Sequence, residues 1–188
     1  MTYSFDWFSN NIGFLSKVLA PWAGRPGVQM LEIGSFEGRS TNWFLDNILT
    51  GAKSFITCVD TFGGSAEHAG LELSDLHERF LANTAHAGAR VSAYCGRSDT
   101  YCAQHAHNYF DIIYVDGSHT VEDIMIDALL AWRLLKPGGI MVFDDYGWGD
   151  HLAPELRPKV AIDAFVAAYA PRLRVVAHDY QYAVVKIS

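Results

Sequence analysis

Val28-Gln29-Met30-Leu31-Glu32-Ile33-Gly34-Ser35-Phe36-Glu37-Gly38-Arg39-Ser40 decides how the rest of the chain is read. A β-prone apolar run meets an acid, Glu32, and then glycines spaced G-x-x-x-G. Ser40-Thr41-Asn42-Trp43 follows and can open a helix. A strand that turns sharply into a helix needs residues free of Cβ clashes, and a ligand can then lie close to bare backbone. A dinucleotide site would want G-x-G-x-x-G, with a pyrophosphate on the helix N-terminus. Here the position of its first glycine holds Glu32, an anion that a pyrophosphate would not welcome. The stretch predicts a ligand-binding β–turn–α unit with Glu32, Gly34, Ser35, Gly38 and Ser40 as candidate contacts.

Working outward, apolar residues at helix spacing (Phe5, Phe8, Ile12, Leu15, Leu19) predict a leading helix over residues 5–19, either simple packing or a cover for a substrate pocket. Residues 21–27, rich in Pro and Gly, break the chain before the first strand. Downstream, residues 40–49 read as a helix closed by Gly51, and residues 54–60 as a second strand ending on Asp60. An acid about twenty residues past the glycines is where a Rossmann-like fold meets ribose hydroxyls. Thr61 opens the loop that follows. Residues 67–87 are expected to be helical, with Leu73, Leu76, Phe80 and Leu81 inward and His68, His77 and His86 on the solvated surface.

A short third strand, residues 91–95, leads into Gly96-Arg97-Ser98. Cys102, His105 and His107 lack the second spaced pair and fourth partner of a zinc set, so they read as a helix surface. Residues 109–115 form a buried parallel strand ending at Asp116-Gly117-Ser118-His119, and Thr120-Val121-Glu122-Asp123 reads as a capping box. The helix it opens is stopped by Lys136-Pro137-Gly138-Gly139. A fifth strand, residues 140–143, runs into Asp144-Asp145-Tyr146. After a helix over residues 159–169, two strands at 173–178 and 182–187 flank a short connection, hence a hairpin. Alternation of strands and helices closed by a hairpin makes one α/β domain over residues 1–188: a doubly wound sheet, mostly parallel, with a C-terminal antiparallel edge.

The chain has 188 residues, enough for a sizeable core, half of them apolar and 19% charged, with a net charge of −7. Arg and Lys are scattered singly, so no basic stripe points to nucleic acid. Met1-Thr2-Tyr3-Ser4-Phe5-Asp6 lacks a basic region before an apolar core, and no apolar run approaches the ~18 residues of a membrane span. Three cysteines without a C-x-x-C pair favour reduced thiols and a cytoplasmic setting.

The E-x-G-x-x-x-G pattern of Glu32, Gly34 and Gly38 resembles motif I of the class I S-adenosylmethionine (SAM)-dependent methyltransferases. The later motifs Tyr114-Val115-Asp116-Gly117-Ser118-His119, Leu134-Leu135-Lys136-Pro137-Gly138-Gly139 and Phe143-Asp144-Asp145-Tyr146 are similar to a subfamily with an I-D-G-x-H … L-L-K-P-G-G … D-D-Y signature. Macrocin-type sugar O-methyltransferases and cephalosporin hydroxylase-like proteins are near it in pattern. The resemblance implies a Rossmann-like methyltransferase fold over about residues 28–187, with SAM, a cation without phosphate, suited to an acidic turn. It implies cofactor contacts at Glu32, Gly34, Ser35, Gly38, Ser40, Asp60, Thr61, Gly96, Ser98 and Asp116.

From metal-dependent relatives it further implies a divalent cation, such as Mg²⁺, at Asp116, Asp144 and Asp145. Three carboxylates at adjacent strand ends would repel one another unless a hard cation gathers them. Otherwise Asp116 contacts the cofactor and the two others are solvated loop acids. Sugar methyltransferases often place an acidic base two residues past the first ligand. That position is Ser118, which cannot serve, so His119 is the candidate base, with a purely structural histidine as the alternative. Tyr146 and Trp148 are expected to wall the pocket. The implied activity is methyl transfer to a small-molecule or sugar hydroxyl, with Asp116 and His119 catalytic and a homodimer partner helping to close the site. The alternatives are a hydroxylase-like or non-catalytic SAM-binding relative and, less favoured, an NAD-dependent oxidoreductase.

Overall fold

Side-chain alternation along the central strand sets the layering. In β1 (Gln29–Ile33) Leu31 and Ile33 face one apolar core and Met30 the other, and all three are buried. The computed structural model describes residues 1–65 and 68–188. Its strands β2 (Phe55–Asp60), β3 (Val91–Cys95), β4 (Phe110–Val115), β5 (Leu135–Phe143), β6 (Leu173–His178) and β7 (Tyr182–Lys186) join β1 in one sheet of order β3-β2-β1-β4-β5-β7-β6. The first five strands pair in parallel and β7 runs antiparallel to both its neighbours, as the sequence predicts.

Helices α1 (Ile12–Leu19), α2 (Arg39–Asn47) and α3 (Leu76–Thr84) supply one apolar layer, with Leu15, Phe44 and Phe80 buried against the sheet. On the other face lie α4 (Ser98–Gln104), α5 (Val121–Leu134) and α6 (Pro158–Tyr169), centred on Trp132 and Phe165. The strand order reverses between β1 and β4, and a crevice opens there at the carboxyl ends of the strands. Among the described residues no helix is long and apolar enough to cross a membrane.

Local differences from the sequence reading have physical causes. The leading helix is only Ile12–Leu19 after a 3-10 turn, Ser9–Asn11. The Asp6 carboxylate accepts from the Ser9 N–H at 2.9 Å and starts the turn there. Phe5 and Trp7 stack on one another at 4.7 Å ahead of it. The expected helix over 67–87 is Leu76–Thr84, followed by 3-10 turns over Ala85–Arg90, and Glu67 lies outside the described residues. Leu81, expected inward, is 48% exposed. Of the histidines read as surface, His86 is exposed, but His77 stacks on Phe62 and His68 on Phe36. Cys102, read as helix surface, is buried.

The fifth strand begins at Leu135, five residues before the expected start. A register shift between Phe110 and Ile112 accommodates Pro137, which has no N–H to donate. Lys186 is buried on β7, its Nζ donating to Asn108 Oδ1 and to the carbonyls of Trp132 and Leu135.

Candidate functional site

Hydrogen bonds carry the parallel ladder one residue past the strand ends and so align the segments that follow. Gly34 N donates to Val59 O at 2.9 Å, Asp116 N to Ile33 O at 2.8 Å, Asp144 N to Val115 O at 3.0 Å and Gly96 N to Asp60 O at 2.8 Å. Gly34 has φ +83°, and a Cβ there would lie 1.8 Å from the Asp116 carbonyl oxygen. Only glycine lets the two strand ends approach so closely.

Asp60 completes the turn. Its Oδ2 accepts from Ser35 N at 2.8 Å and Phe36 N at 2.9 Å, and Oδ1 accepts from Phe62 N at 2.7 Å. Two amides of the turn are therefore already held by a carboxylate rather than open to a phosphate. Glu37, 2% exposed, accepts from the N–H and hydroxyl of Ser4 and pairs with Arg79, tying the N-terminal segment across the turn.

These elements enclose a cavity of about 840 Å³. Gly34, Ser35, Ser40, Asp60, Thr61, Gly96, Ser98, Asp116, His119, Asp144 and Asp145 line it. Glu32 does not. It shares the α2 face of β1 with Met30, is fully buried, and accepts from Thr41 Oγ1 at 2.5 Å and Cys58 Sγ at 3.3 Å. Burial raises its carboxyl above the ordinary range. Gly38 also stands off the cavity, its φ of +80° opening α2 against Phe80 and Thr84.

At one end of the cavity Ser98 Oγ donates to Asp127, whose carboxyl is pushed up to about 6 chiefly by burial. At the other end the strand-end acids divide. Alternation along β5 sends Ile140 and Val142 toward α1, and Met141 and Phe143 toward α5 and α6. Asp144 continues the first set. Both of its carboxylate oxygens accept from Asn11 Nδ2, at 3.0 and 2.9 Å, and Oδ1 accepts also from Gln181 Nε2. It is 5% exposed, and burial followed by the Asp145 charge raises its carboxyl to about 7.

Asp145 points the other way, its Oδ2 2.7 Å from His119 Nε2. Asp116, His119 and Asp145 each offer a ligand atom within 4.8 Å of the other two, and Asp144 does not join them. Burial first, then Asp144 and Asp145, push the Asp116 carboxyl well above the usual carboxylate range. His119 Nδ1 is shielded from solvent, and Nε2 faces Asp145.

Trp148 walls the cavity 4.5 Å from the His119 ring, whereas Tyr146 lies outside it against Tyr182 and His178. Residues that the sequence reading missed also contribute. Trp7, Phe36 and His68 form an aromatic rim, and Tyr180 reaches Asp145 at 3.5 Å. Asn11 and Gln181 carry no local sequence signal, whereas Phe36 sits inside the glycine stretch itself with a positive φ of 45°.

A protein of Acanthamoeba polyphaga mimivirus is 31% identical over 67 residues, covering 34% of this chain and 30% of the mimivirus protein. The chain thus spans about a third of that relative's length. The O-methyltransferase from Bacillus cereus, solved in complex with SAH, aligns over 98% of this chain and 84% of its own at 22% identity, with a TM-score of 0.67. The MycE methyltransferase from the mycinamycin biosynthetic pathway, solved with Mg, SAH and mycinamycin VI, aligns over 97% of this chain and 50% of its own at 16% identity, with a TM-score of 0.65. Those two likenesses establish a shared fold. A sequence model described as "Methyltransferase domain" matches residues 31–146, well over half the chain, and the chain belongs to that family.

Proposed function

We propose that the chain is a SAM-dependent methyltransferase that methylates a hydroxyl oxygen of a small molecule or sugar with help from a divalent cation. One observation carries the reading: the glycine turn of β1 and the acid–imidazole cluster of β4 and β5 open into one cavity. Its volume of about 840 Å³ falls in the ~300–1,000 Å³ range usual for small-molecule sites. The choice of cofactor rests on charge. With Ser35 N and Phe36 N taken by Asp60, two amides of the turn are closed to a phosphate, and its acids suit a sulfonium. The B. cereus and MycE enzymes were both solved with SAH.

SAM supplies an activated methyl group, and this chain's residues hold and orient the reactants. Gly34 and Ser35 give the close backbone approach, with Ser40 beside them. Asp60 and Thr61 face the ribose, and Gly96 and Ser98 the base. Asp116 stands between the cofactor turn and the acceptor end. A cation would find donors there in Asp116, Asp145 and His119, and would lower the pKa of a coordinated acceptor hydroxyl. Burial raises Asp116 most, and the further push from Asp144 and Asp145 is what such an ion relieves. The acceptor oxygen takes the methyl group, S-adenosylhomocysteine leaves, and the hydroxyl's proton passes to a carboxylate of this cluster, Asp116 or Asp145. Trp148 and the N-terminal segment, which places Phe5, Trp7 and Asn11 along the cavity, exclude water.

The test is a calorimetric titration with S-adenosylhomocysteine. Micromolar binding to the parent, weakened at least ~10-fold in Asp60→Asn, is expected. A parent that binds no S-adenosylhomocysteine but does bind NAD overturns the reading.

A further inference from the structure

At the Ser98 end of the cavity one carboxylate is left half satisfied. Asp127 stands on α5, lines the cavity and is 5% exposed. Its Oδ1 accepts from Ser98 Oγ, whereas Oδ2 accepts from no group among the described residues. A Cβ on Gly117 would come within 3.4 Å of that Oδ2, so the oxygen lies under the segment that follows β4. No ion pair reaches Asp127 among the described residues. Arg97, the guanidinium at this end, is 60% exposed and pairs with Asp99 at 3.0 Å and Asp123 at 3.8 Å instead.

A buried carboxylate oxygen without a donor is costly, and here the ligand has to bring one. SAM carries donors in three places: its ammonium, its ribose hydroxyls and the exocyclic amine of adenine. The hydroxyls face Asp60, the charged methionine part lies toward Gly34 and Asp116, and the base faces Gly96 and Ser98. The amine is then the donor left for Asp127. We propose that Asp127 selects the cofactor's base, its Oδ2 accepting from the exocyclic amine of adenine while Ser98 holds the carboxylate in place. This deepens the cofactor assignment above and rests on it. A base with a carbonyl oxygen where adenine has the amine would set that oxygen against the carboxylate. Sites built around one polar group reject strongly the analogue that lacks it.

The experiment titrates the full chain with S-adenosylhomocysteine and with its deaminated counterpart, S-inosylhomocysteine. It is run at pH 8, where the Asp127 carboxyl, raised to about 6, is ionised. The parent should bind the first compound at least ~30-fold more tightly. Asp127→Asn offers an amide N–H to the carbonyl oxygen. It should bind the deaminated compound more tightly than the parent does and bring the ratio to within about threefold. Asp60→Asn should weaken both compounds and keep the parent's ratio, since both carry the ribose. A carboxylate that merely held Ser98 would likewise leave the ratio untouched when replaced. The inference is overturned if the parent binds the two within about threefold, a comparison that needs no variant, or if Asp127→Asn keeps the parent's ratio. Asp127→Ala, in which the ratio should also collapse, carries the same test should the amide variant not fold. A parent that binds neither compound overturns the cofactor reading and this inference with it, whereas binding without preference overturns this inference alone.

Discussion

Gly34→Ala should damage this protein far more than one methyl group suggests. The left-handed backbone at φ +83° costs an L-residue about 1–2 kcal/mol. The new Cβ would fall 1.8 Å from Asp116 O and 2.5 Å from its carbonyl carbon, well inside any contact distance, so the end of β4 must move. Overpacking of this kind costs about 1–3 kcal/mol. The movement also strains the Asp116 N to Ile33 O bond, and such bonds contribute about 1 kcal/mol each. Together these give about 3–6 kcal/mol, out of the ~5–15 kcal/mol that stabilises a typical domain. At roughly 2–4 °C per kcal/mol for a chain of this size, the melting temperature should drop by about 6–24 °C. S-adenosylhomocysteine affinity should fall with it, because the displaced strand end bounds the cavity. Gly13→Ala is the internal control. It sits in α1 with nothing within 4 Å of the added Cβ, and should raise stability by about 0.5–1 kcal/mol. Circular dichroism melts and calorimetry on both variants decide the matter. A Gly34→Ala protein that melts within about 2 °C of the parent and binds the ligand normally would refute the close approach of β1 to Asp116.

Other substitutions probe other parts of the same scaffold. Burial raises Asp127 from 3.8 to about 6, so the folded state holds a proton more tightly than the unfolded chain. That contribution is complete below the ordinary carboxylate range and is lost as pH rises through about 6, an effect of up to ~3 kcal/mol. Urea midpoints should fall between about pH 4 and 6.5 in the parent and fall less steeply in Asp127→Asn, where Asp116 and Asp144 still titrate; an unchanged slope in the variant contradicts the assignment. Thr120→Ala removes the cap whose hydroxyl accepts from Asp123 N at 3.2 Å, and should cost about 1 kcal/mol in chemical unfolding, against no change if the cap is idle. Glu37→Gln weakens the hold on Ser4 and the ion pair with Arg79. Amide exchange at Ser4 should then accelerate at least ~10-fold while β1 amides keep their protection, and equal acceleration at both would show global rather than local loosening. Phe165→Ala, at a residue of α6 that is 1% exposed and packed on Trp132 and Phe143, should cost about 3–5 kcal/mol in the same unfolding assay, and a cost under 1 kcal/mol would contradict its packing.

Elements with a strong apolar rhythm were legible in the sequence. Residues 54–60 and 91–95 read as strands because β-branched and apolar residues run between turn signals, and they form β2 and β3. The N-terminal segment misleads because Phe5 falls at helix spacing with Phe8 and Ile12, yet it stacks on Trp7 and lines the cavity instead. Lys136-Pro137-Gly138-Gly139 reads as a helix stop, and the shifted register against β4 also lets it run as strand. At the site, the motifs point to the right strand ends and not to the directions of the side chains. Asp144 and Asp145 look equivalent in sequence, but consecutive strand residues face opposite ways, and only the fold shows which one meets Asn11. Glu32 follows the same logic, buried against Thr41 beneath the turn it seemed to line. Asn11 and Gln181 were beyond reach, since long-range amide partners leave no local pattern.

The position of β7 between β5 and β6 bears on how the chain comes off the ribosome. Translation delivers β6 before β7, yet β6 has no place in the sheet until β7 is inserted beside β5. Until residues 182–186 emerge, the backbone edge along Ile140, Met141, Val142 and Phe143 stays unpaired, with apolar side chains on either face. Such an edge is a template for joining another nascent chain. A stalled or prematurely terminated product ending near Gln181 is therefore a sticky species rather than a slightly shortened enzyme, and quality control has to clear it before it pairs with its neighbours.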